Sequence, residues 1–194
     1  LVVYVDDFKL SGPAGNLAKG WELIQAGIHT DQPHSMNLFL GCKHEESVQT
    51  SPWSGKKVRT MTYNMEAFLR DAVVKYQALA PGVLLRKVFT PFLEDTEPDG
   101  AANTKAEAPG GLPPEDELKH CCASVLMKLL YAARICRYDL LHAIGRLAGM
   151  ITSWDSHCDR MLHRLMCYVY STYYVRKVGW VGEHSSTIGV QLYA

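Results

Sequence analysis

The stretch that decides the fold opens the chain and reads Leu1-Val2-Val3-Tyr4-Val5-Asp6-Asp7-Phe8-Lys9-Leu10. Residues 1–5 have the composition of a β-strand and are followed directly by two acids, Asp6 and Asp7. The next three residues alternate apolar and polar before Ser11-Gly12-Pro13 breaks the chain. This pattern is typical of a short β-hairpin. We therefore expect an antiparallel hairpin with the two aspartates at its tip.

The acidic pair, Asp6 and Asp7, has a chemistry of its own. Adjacent carboxylates repel each other, and a bound cation relieves that repulsion. Magnesium prefers hard oxygen ligands and usually keeps waters and substrate phosphates in its shell. Two such ions can activate a primer hydroxyl and stabilise a leaving pyrophosphate. The simpler alternative is an ordinary turn, in which aspartates are common.

Composition excludes several classes of protein. The chain has 194 residues, 47% hydrophobic and 21% charged, which is close to globular averages and argues against wholesale disorder or a fibrous repeat. Without a signal-like segment or an 18-residue apolar run, secretion and membrane spanning are disfavoured. Six cysteines are too few for a disulfide scaffold, so we expect reduced thiols in an intracellular protein.

Charge is balanced overall but not locally. Twenty basic residues match twenty acidic ones, yet residues 94–118 hold eight acids and one lysine, or −7, which leaves +7 on the remainder. Residues 91–118 are also rich in proline and glycine, and large apolar side chains nearly vanish there. Such a stretch cannot bury enough surface to offset its chain entropy, so we expect a linker.

The rest of the chain predicts an α+β fold. After the hairpin we expect a helix beginning near Pro13, then short strands over residues 36–60, with residues 37–42 as one strand. A helix from about Thr62 ends at Pro81-Gly82. Beyond the linker, apolar residues at helical spacing predict three helices. Their stripes are Cys122, Val125, Leu126, Leu129, Leu130 and Ala133, then Leu141, Ile144, Ala148 and Ile151, then Cys158, Leu162, Leu165 and Val169.

Several motifs, in order, resemble the reverse transcriptases of copia-type LTR retrotransposons. Residues 1–12 resemble the family's Tyr-x-Asp-Asp hairpin, and Phe39-Leu40-Gly41 resembles its Phe-Leu-Gly strand. Residues 61–76 are similar to its next helix-forming segment. The later matches are Lys87-Val88-Phe89-Thr90-Pro91, residues 124–132 with Arg137-Tyr138-Asp139-Leu140, and residues 163–172. The sequence departs from the pattern at Tyr138, where the family usually has proline, and at Val88-Phe89.

The resemblance implies RNA-directed DNA synthesis by two-metal nucleotidyl transfer. Asp6 and Asp7 would be catalytic carboxylates that bind two Mg²⁺ ions. The other implied contacts are Tyr4 and Val5 under the primer terminus and the primer grip at Phe39, Leu40 and Gly41. The family's third catalytic aspartate lies on an earlier palm strand that these residues do not include. We therefore expect the isolated chain to be inactive, as a piece of a longer retrotransposon polyprotein.

The resemblance also implies domains and partners. It divides the chain into a partial palm with its following helix (1–90), the acidic linker (91–118), a helical thumb and connection unit (119–176) and the start of an RNase H-like domain (177–194). The implied partners are an RNA template, a DNA primer, deoxynucleotides and the remainder of the polyprotein, with no membrane. The implied location is a cytoplasmic particle or the nucleus.

Other interpretations remain open. The chain could be a non-catalytic nucleic-acid-binding remnant of a retroelement, or a helical protein-interaction module built on residues 119–174. Arg160 and Arg164 lie one helical turn apart and could contact nucleic-acid phosphates, or they could belong to a solvated helix face. The cysteines and histidines of residues 120–167 fit none of the usual zinc spacings.

Overall fold

The computed structural model describes residues 1–92 and 118–181. Over these ranges the chain is mixed α+β, with five α-helices and two small antiparallel sheets, which confirms the predicted fold class at that level. Most of the predicted linker and of the predicted RNase H-like start, namely residues 93–117 and 182–194, lies outside the described residues. No helix in the described ranges is long and apolar enough to cross a membrane.

Strands dominate the first third of the described chain and helices the rest. Two short 3₁₀ turns, Tyr138–Leu140 and Ile151–Ser153, flank the fourth helix. In chain order the elements are β1 (Val2–Tyr4), β2 (Asp7–Lys9), α1 (Ala14–Gln25), β3 (Leu38–Phe39), β4 (Cys42–Thr50), β5 (Lys57–Asn64), α2 (Glu66–Leu79), α3 (Cys122–Ile135), α4 (Leu141–Gly149), α5 (Ser156–Thr172) and β6 (Lys177–Val181).

The chain divides into two compact units. Of the described residues, the sheet unit comprises Leu1–Thr62 and residues 178–181, and the helical unit comprises residues 63–92 and 118–177. Helix α2 therefore packs in the helical unit, with α3 and α5, whereas the sequence division grouped it with residues 1–62. Within the sheet unit, β1 pairs with β2, and β3, β4, β5 and β6 form a second sheet in that order.

The prediction of one strand over residues 37–42 is wrong. The chain turns back at Leu40 and Gly41, so that Phe39 pairs with Cys42 across a two-residue loop. Both loop residues have positive φ, 53° at Leu40 and 72° at Gly41. Such values at both central positions characterise the tightest hairpin turns, which usually carry Asn-Gly or Asp-Gly. A leucine at the first position hides that signal in the sequence.

The helical unit contains most of the buried apolar residues. The predicted stripes of α3 and α5 face inward, and α2 adds Leu69, Ala72, Val73 and Tyr76. The predicted stripe of α4 is wrong except at Ile144: Leu141 is exposed, Ile151 lies past the end of the helix, and the other buried residues are Ala143 and Leu147. Asp155, predicted near the start of the third helix, caps α5 by accepting a 2.8 Å hydrogen bond from the backbone N–H of Cys158. Satisfying one of the free N–H groups of the first turn fixes where the helix begins.

The sheet unit buries much less. Within residues 1–62, Cys42 is the one apolar residue that is buried, and it is joined by the polar residues His44, Ser51 and Thr60. Helix α1 has no buried residue, and all three residues of β1 are exposed. The apolar stripe of α1 is thus only half covered. All six cysteines of the chain are buried free thiols.

Candidate functional site: the acidic hairpin

The hairpin predicted from residues 1–10 is present. Val2 pairs with Lys9, Val3 with Phe8 and Tyr4 with Asp7, which leaves Val5 and Asp6 as a two-residue turn. Asp6 therefore lies at the tip and Asp7 begins the return strand. The pairing brings the side chains of the predicted primer-contact and metal-binding residues to one end of a short ribbon.

The turn contains an unusual backbone conformation at Val5. Its φ is 52°, in the left-handed region that β-branched residues rarely enter. A two-residue hairpin turn demands positive φ at its first central position, where glycine is the usual residue. Holding a non-glycine residue there costs on the order of 1–3 kcal/mol. Strain of this kind next to a pair of acids supports a functional interpretation of the turn.

The two carboxylates are accessible. Asp6 and Asp7 are both exposed, and so are the neighbouring Tyr4 and Val5, at 52% and 79% of their surface. Among residues 1–92 and 118–181, no three His, Cys, Asp or Glu side chains cluster closely enough to hold a metal ion by themselves. The donor set here is thus two adjacent carboxylates. That set suits magnesium bound by one or two carboxylates together with substrate phosphates.

Lys9 connects this hairpin to the hairpin formed by β3 and β4. The Lys9 ammonium lies 3.2 Å from Nε2 of His44, and Nδ1 of His44 lies 3.0 Å from the carbonyl oxygen of Cys42. Because a carbonyl only accepts, Nδ1 carries the proton of a neutral ring and Nε2 accepts from Lys9. Lys9 also lies 5.7 Å from the centre of the Phe39 ring.

The electrostatics of this contact agree with a charged lysine and a neutral histidine. Burial lowers the pKa of Lys9, and the Cys42 thiol opposes that shift. Burial also lowers the pKa of His44, and the Lys9 charge lowers it further. The hydrogen bond to the Cys42 carbonyl raises this pKa and offsets part of the shift. A second positive charge on His44 would face Lys9 directly. Sequence patterns could not predict this contact, since its partners are 35 residues apart.

The predicted primer-grip residues occupy the β3–β4 turn. Phe39 is half-buried and meets the His44 ring edge-on, with the ring centroids 6.5 Å apart at 71°. Leu40 and Gly41 form the loop itself. Phe39 thus lies next to Lys9 of the acidic hairpin and next to His44, which Lys9 also contacts.

The two arginines predicted to contact nucleic acid differ in their surroundings. Arg160 is exposed on α5. Arg164 donates from Nε to the carbonyl oxygen of Thr90 at 3.0 Å and from Nη2 to Thr90 Oγ1 at 3.1 Å. Arg164 therefore holds the segment before the predicted linker against α5. Of the two, Arg160 has the more accessible guanidinium.

The helical unit contains a buried ionic network that was not predicted from the sequence. The Arg137 side chain is fully buried and forms a two-bond contact with Asp139, at 2.9 Å from Nε and 2.7 Å from Nη2. It also donates to the carbonyl oxygen and hydroxyl of Thr172, at 2.9 and 2.8 Å. Tyr168 donates to Asp139 at 3.0 Å. The network fixes the end of α5 against the turn that precedes α4.

Comparison with models of known protein families, with curated proteins and with solved structures found no match to this chain.

Proposed function

We propose that this chain is part of an RNA-directed DNA polymerase similar to the reverse transcriptases of copia-type LTR retrotransposons. The observation that carries the proposal is the acidic hairpin. Exposed Asp6 lies in a turn strained at Val5, and exposed Asp7 follows it as the first residue of the return strand. An ordinary solvated turn would gain nothing from a valine in the left-handed region, where glycine, asparagine or aspartate costs less.

Asp6 and Asp7 would hold magnesium through their carboxylate oxygens. When bound, the ions would activate a primer hydroxyl and stabilise the leaving pyrophosphate. The chain's own residues hold the two carboxylates and the neighbouring turn in place. The paired strands fix the two carboxylates on backbone, while Lys9 and His44 keep the β3–β4 turn beside the ribbon. Tyr4 and Val5, exposed at the same end, are the side chains offered to a primer terminus.

Metal binding can be tested on the chain itself. Mn²⁺ at sub-stoichiometric amounts should broaden the amide NMR signals of residues 4–8 before those of other exposed segments. An Asp6→Asn/Asp7→Asn variant should lose that broadening. Asp31→Asn, which removes an exposed carboxylate elsewhere in the sheet unit, should keep it. Equal broadening in wild type and the double variant would contradict the proposed metal site.

Polymerase function requires a separate test. The genomic reading frame around the chain should encode, upstream, an apolar strand bearing a third aspartate. A polypeptide containing both parts should extend a DNA primer on an RNA template, and Asp6→Asn or Asp7→Asn should abolish extension. The isolated 194 residues should not extend the primer. Stop codons in place of that upstream strand would favour the non-catalytic remnant instead.

A further inference from the structure

The tip of the β4–β5 hairpin, residues 51–57, presents an exposed tryptophan. Trp53 is 80% exposed, which is the second highest value among the large exposed apolar residues described. The ring belongs to neither the acidic hairpin nor the helical core. Tryptophan at such exposure is expensive to leave in water and is among the residues most enriched at the centres of binding sites.

The loop that holds Trp53 is well ordered by hydrogen bonds. The backbone N–H of Ser51 donates to Lys56 O at 2.8 Å, and that of Gly55 donates to Ser51 O at 2.9 Å. The buried Ser51 hydroxyl accepts from the backbone N–H groups of Trp53 and Ser54, at 3.4 and 3.3 Å. Gly55 supplies the positive φ, 67°, that closes the turn. Little chain entropy would be lost on binding at this tip.

A second tryptophan supports the first. Trp180 on β6 meets Trp53 nearly perpendicularly, with ring centroids 5.6 Å apart and an interplanar angle of 79°. Trp180 itself is 39% exposed. Edge-to-face packing of this kind is a favourable aromatic geometry. It restrains the Trp53 ring while leaving most of its surface open to solvent.

Two exposed lysines share the tip with the ring. Lys56 and Lys57 follow within four residues and are both exposed, and residues 47–58 contain no aspartate or glutamate. Among the described residues, Arg59 and Glu46 form an ion pair at 3.5 Å further along the two strands. An open aromatic ring on a tip with exposed lysines is the combination that single-stranded nucleic-acid sites use, with a base on the ring and phosphates at the cations.

We propose that the β4–β5 tip is a stacking site for an unpaired base of a single-stranded nucleic acid, with Trp53 as the platform and Lys56 and Lys57 as the phosphate contacts. One open indole face, supported edge-on by Trp180, offers a flat surface smaller than the apolar patches that mark protein partners, which favours a base. The site does not depend on the polymerase assignment, because neither Asp6 nor Asp7 contributes to it.

Binding of a fluorescein-labelled, 12-nucleotide oligo(dT) to the full chain, followed by anisotropy, tests the proposal. Trp53→Ala should weaken binding about 5- to 100-fold, the range typical for loss of one stacked base. Trp53→Phe, which keeps a ring, should retain affinity within about threefold. Phe89→Ala, which removes a 97% exposed aromatic ring from the helical unit, is the matched control and should bind as wild type does.

The salt dependence of oligonucleotide binding tests the proposed phosphate contacts of Lys56 and Lys57. Lys56→Gln/Lys57→Gln should reduce the slope of log K against log salt by about 1.4, since each single-strand phosphate contact contributes about 0.7. Trp53→Ala should leave the Mn²⁺ broadening of residues 4–8 unchanged, so this proposal and the polymerase proposal fail separately. Unchanged binding by Trp53→Ala would overturn the site. So would a Trp53-dependent affinity for anionic phospholipid vesicles without one for the oligonucleotide.

Discussion

Asp139→Asn should destabilise the helical unit by removing the counter-ion of a buried arginine. Arg137 is fully buried, and its guanidinium gives two of its hydrogen bonds to Asp139. In the variant, an amide NH₂ replaces one of the two carboxylate oxygens and so faces at least one Arg137 donor, Nε or Nη2. The Thr172 contacts remain, so the cation keeps some partners but no opposite charge.

The magnitude follows from burial. Breaking a buried ion pair by removing one partner costs about 3–5 kcal/mol. The Asp139 side chain is 36% exposed, so water reaches one side of the pair and reduces that cost. We expect a loss of about 2–3 kcal/mol in the free energy of unfolding. For a chain of this length, that corresponds to a fall in Tm of roughly 4–12 °C.

Thermal unfolding followed by circular dichroism at 222 nm measures the effect, with Asp71→Asn as the matched control. Asp71 is paired with Lys128 on the surface, and its side chain is 68% exposed. Loss of that pair should cost less than about 1 kcal/mol. The double variant Arg137→Met/Asp139→Asn should be at least as stable as Asp139→Asn alone, because it removes the uncompensated cation.

The same pair carries a pH dependence. Burial raises the pKa of Asp139, but the Arg137 hydrogen bond and charge and the Tyr168 hydroxyl outweigh it, so the pKa lies below its usual value. A carboxylate with a lowered folded pKa stabilises the fold above its unfolded pKa of about 3.9, and that stabilisation is lost as pH falls through the folded value. Wild type should therefore lose more stability than Asp139→Asn between pH 5 and pH 2. Equal stability of the two proteins at pH 7 would refute the reasoning.

Three further predictions concern other parts of the chain. Val5→Gly should relieve the left-handed strain and leave the hairpin as stable or up to about 1 kcal/mol more stable by amide exchange, whereas Val3→Gly, within the strand, should weaken it. Burial and the Arg86 charge lower the pKa of His163, so the unfolded chain takes up its proton first as pH falls below about 6.5. The urea midpoint should therefore drop from pH 7.5 to pH 5, and less so in His163→Gln. Asp155→Ala should cost about 1 kcal/mol through loss of the α5 cap, Asp155→Asn much less, as measured by urea unfolding.

Local patterns predicted local structure well. The helices α3, α4 and α5 follow from apolar residues at helical spacing, because burying one face is what stabilises a helix in a protein. The acidic hairpin follows from a strand-like run that meets two turn-forming residues. The β3–β4 turn was missed because Leu40 adopts a conformation that leucine rarely takes, and the context of paired strands overrides that preference.

Contacts between distant residues could not be predicted in the same way. Arg137 and Thr172 are 35 residues apart, and so are Lys9 and His44. Nothing in periodicity or composition distinguishes a lysine that meets a neutral histidine from one in water. Arg137 belonged to a motif in the sequence, but its complete burial depends on how α5 ends. The sequence thus predicts the aspartates of the candidate site, but it does not predict the contact between Lys9 and His44 that supports them.

The unequal burial of the two units has a consequence for how the molecule opens. A segment with few buried apolar side chains separates from its surroundings at a lower free energy than a packed helical core. The ribbon bearing the acids and helix α1 therefore belong to the part that opens first, while the helices around Leu126 and Leu165 stay closed. A protease at low concentration would cut residues 1–36 early and leave the helices as the surviving product. A nucleic acid bound at the ribbon would delay that first cut, because its binding energy adds to the free energy of opening.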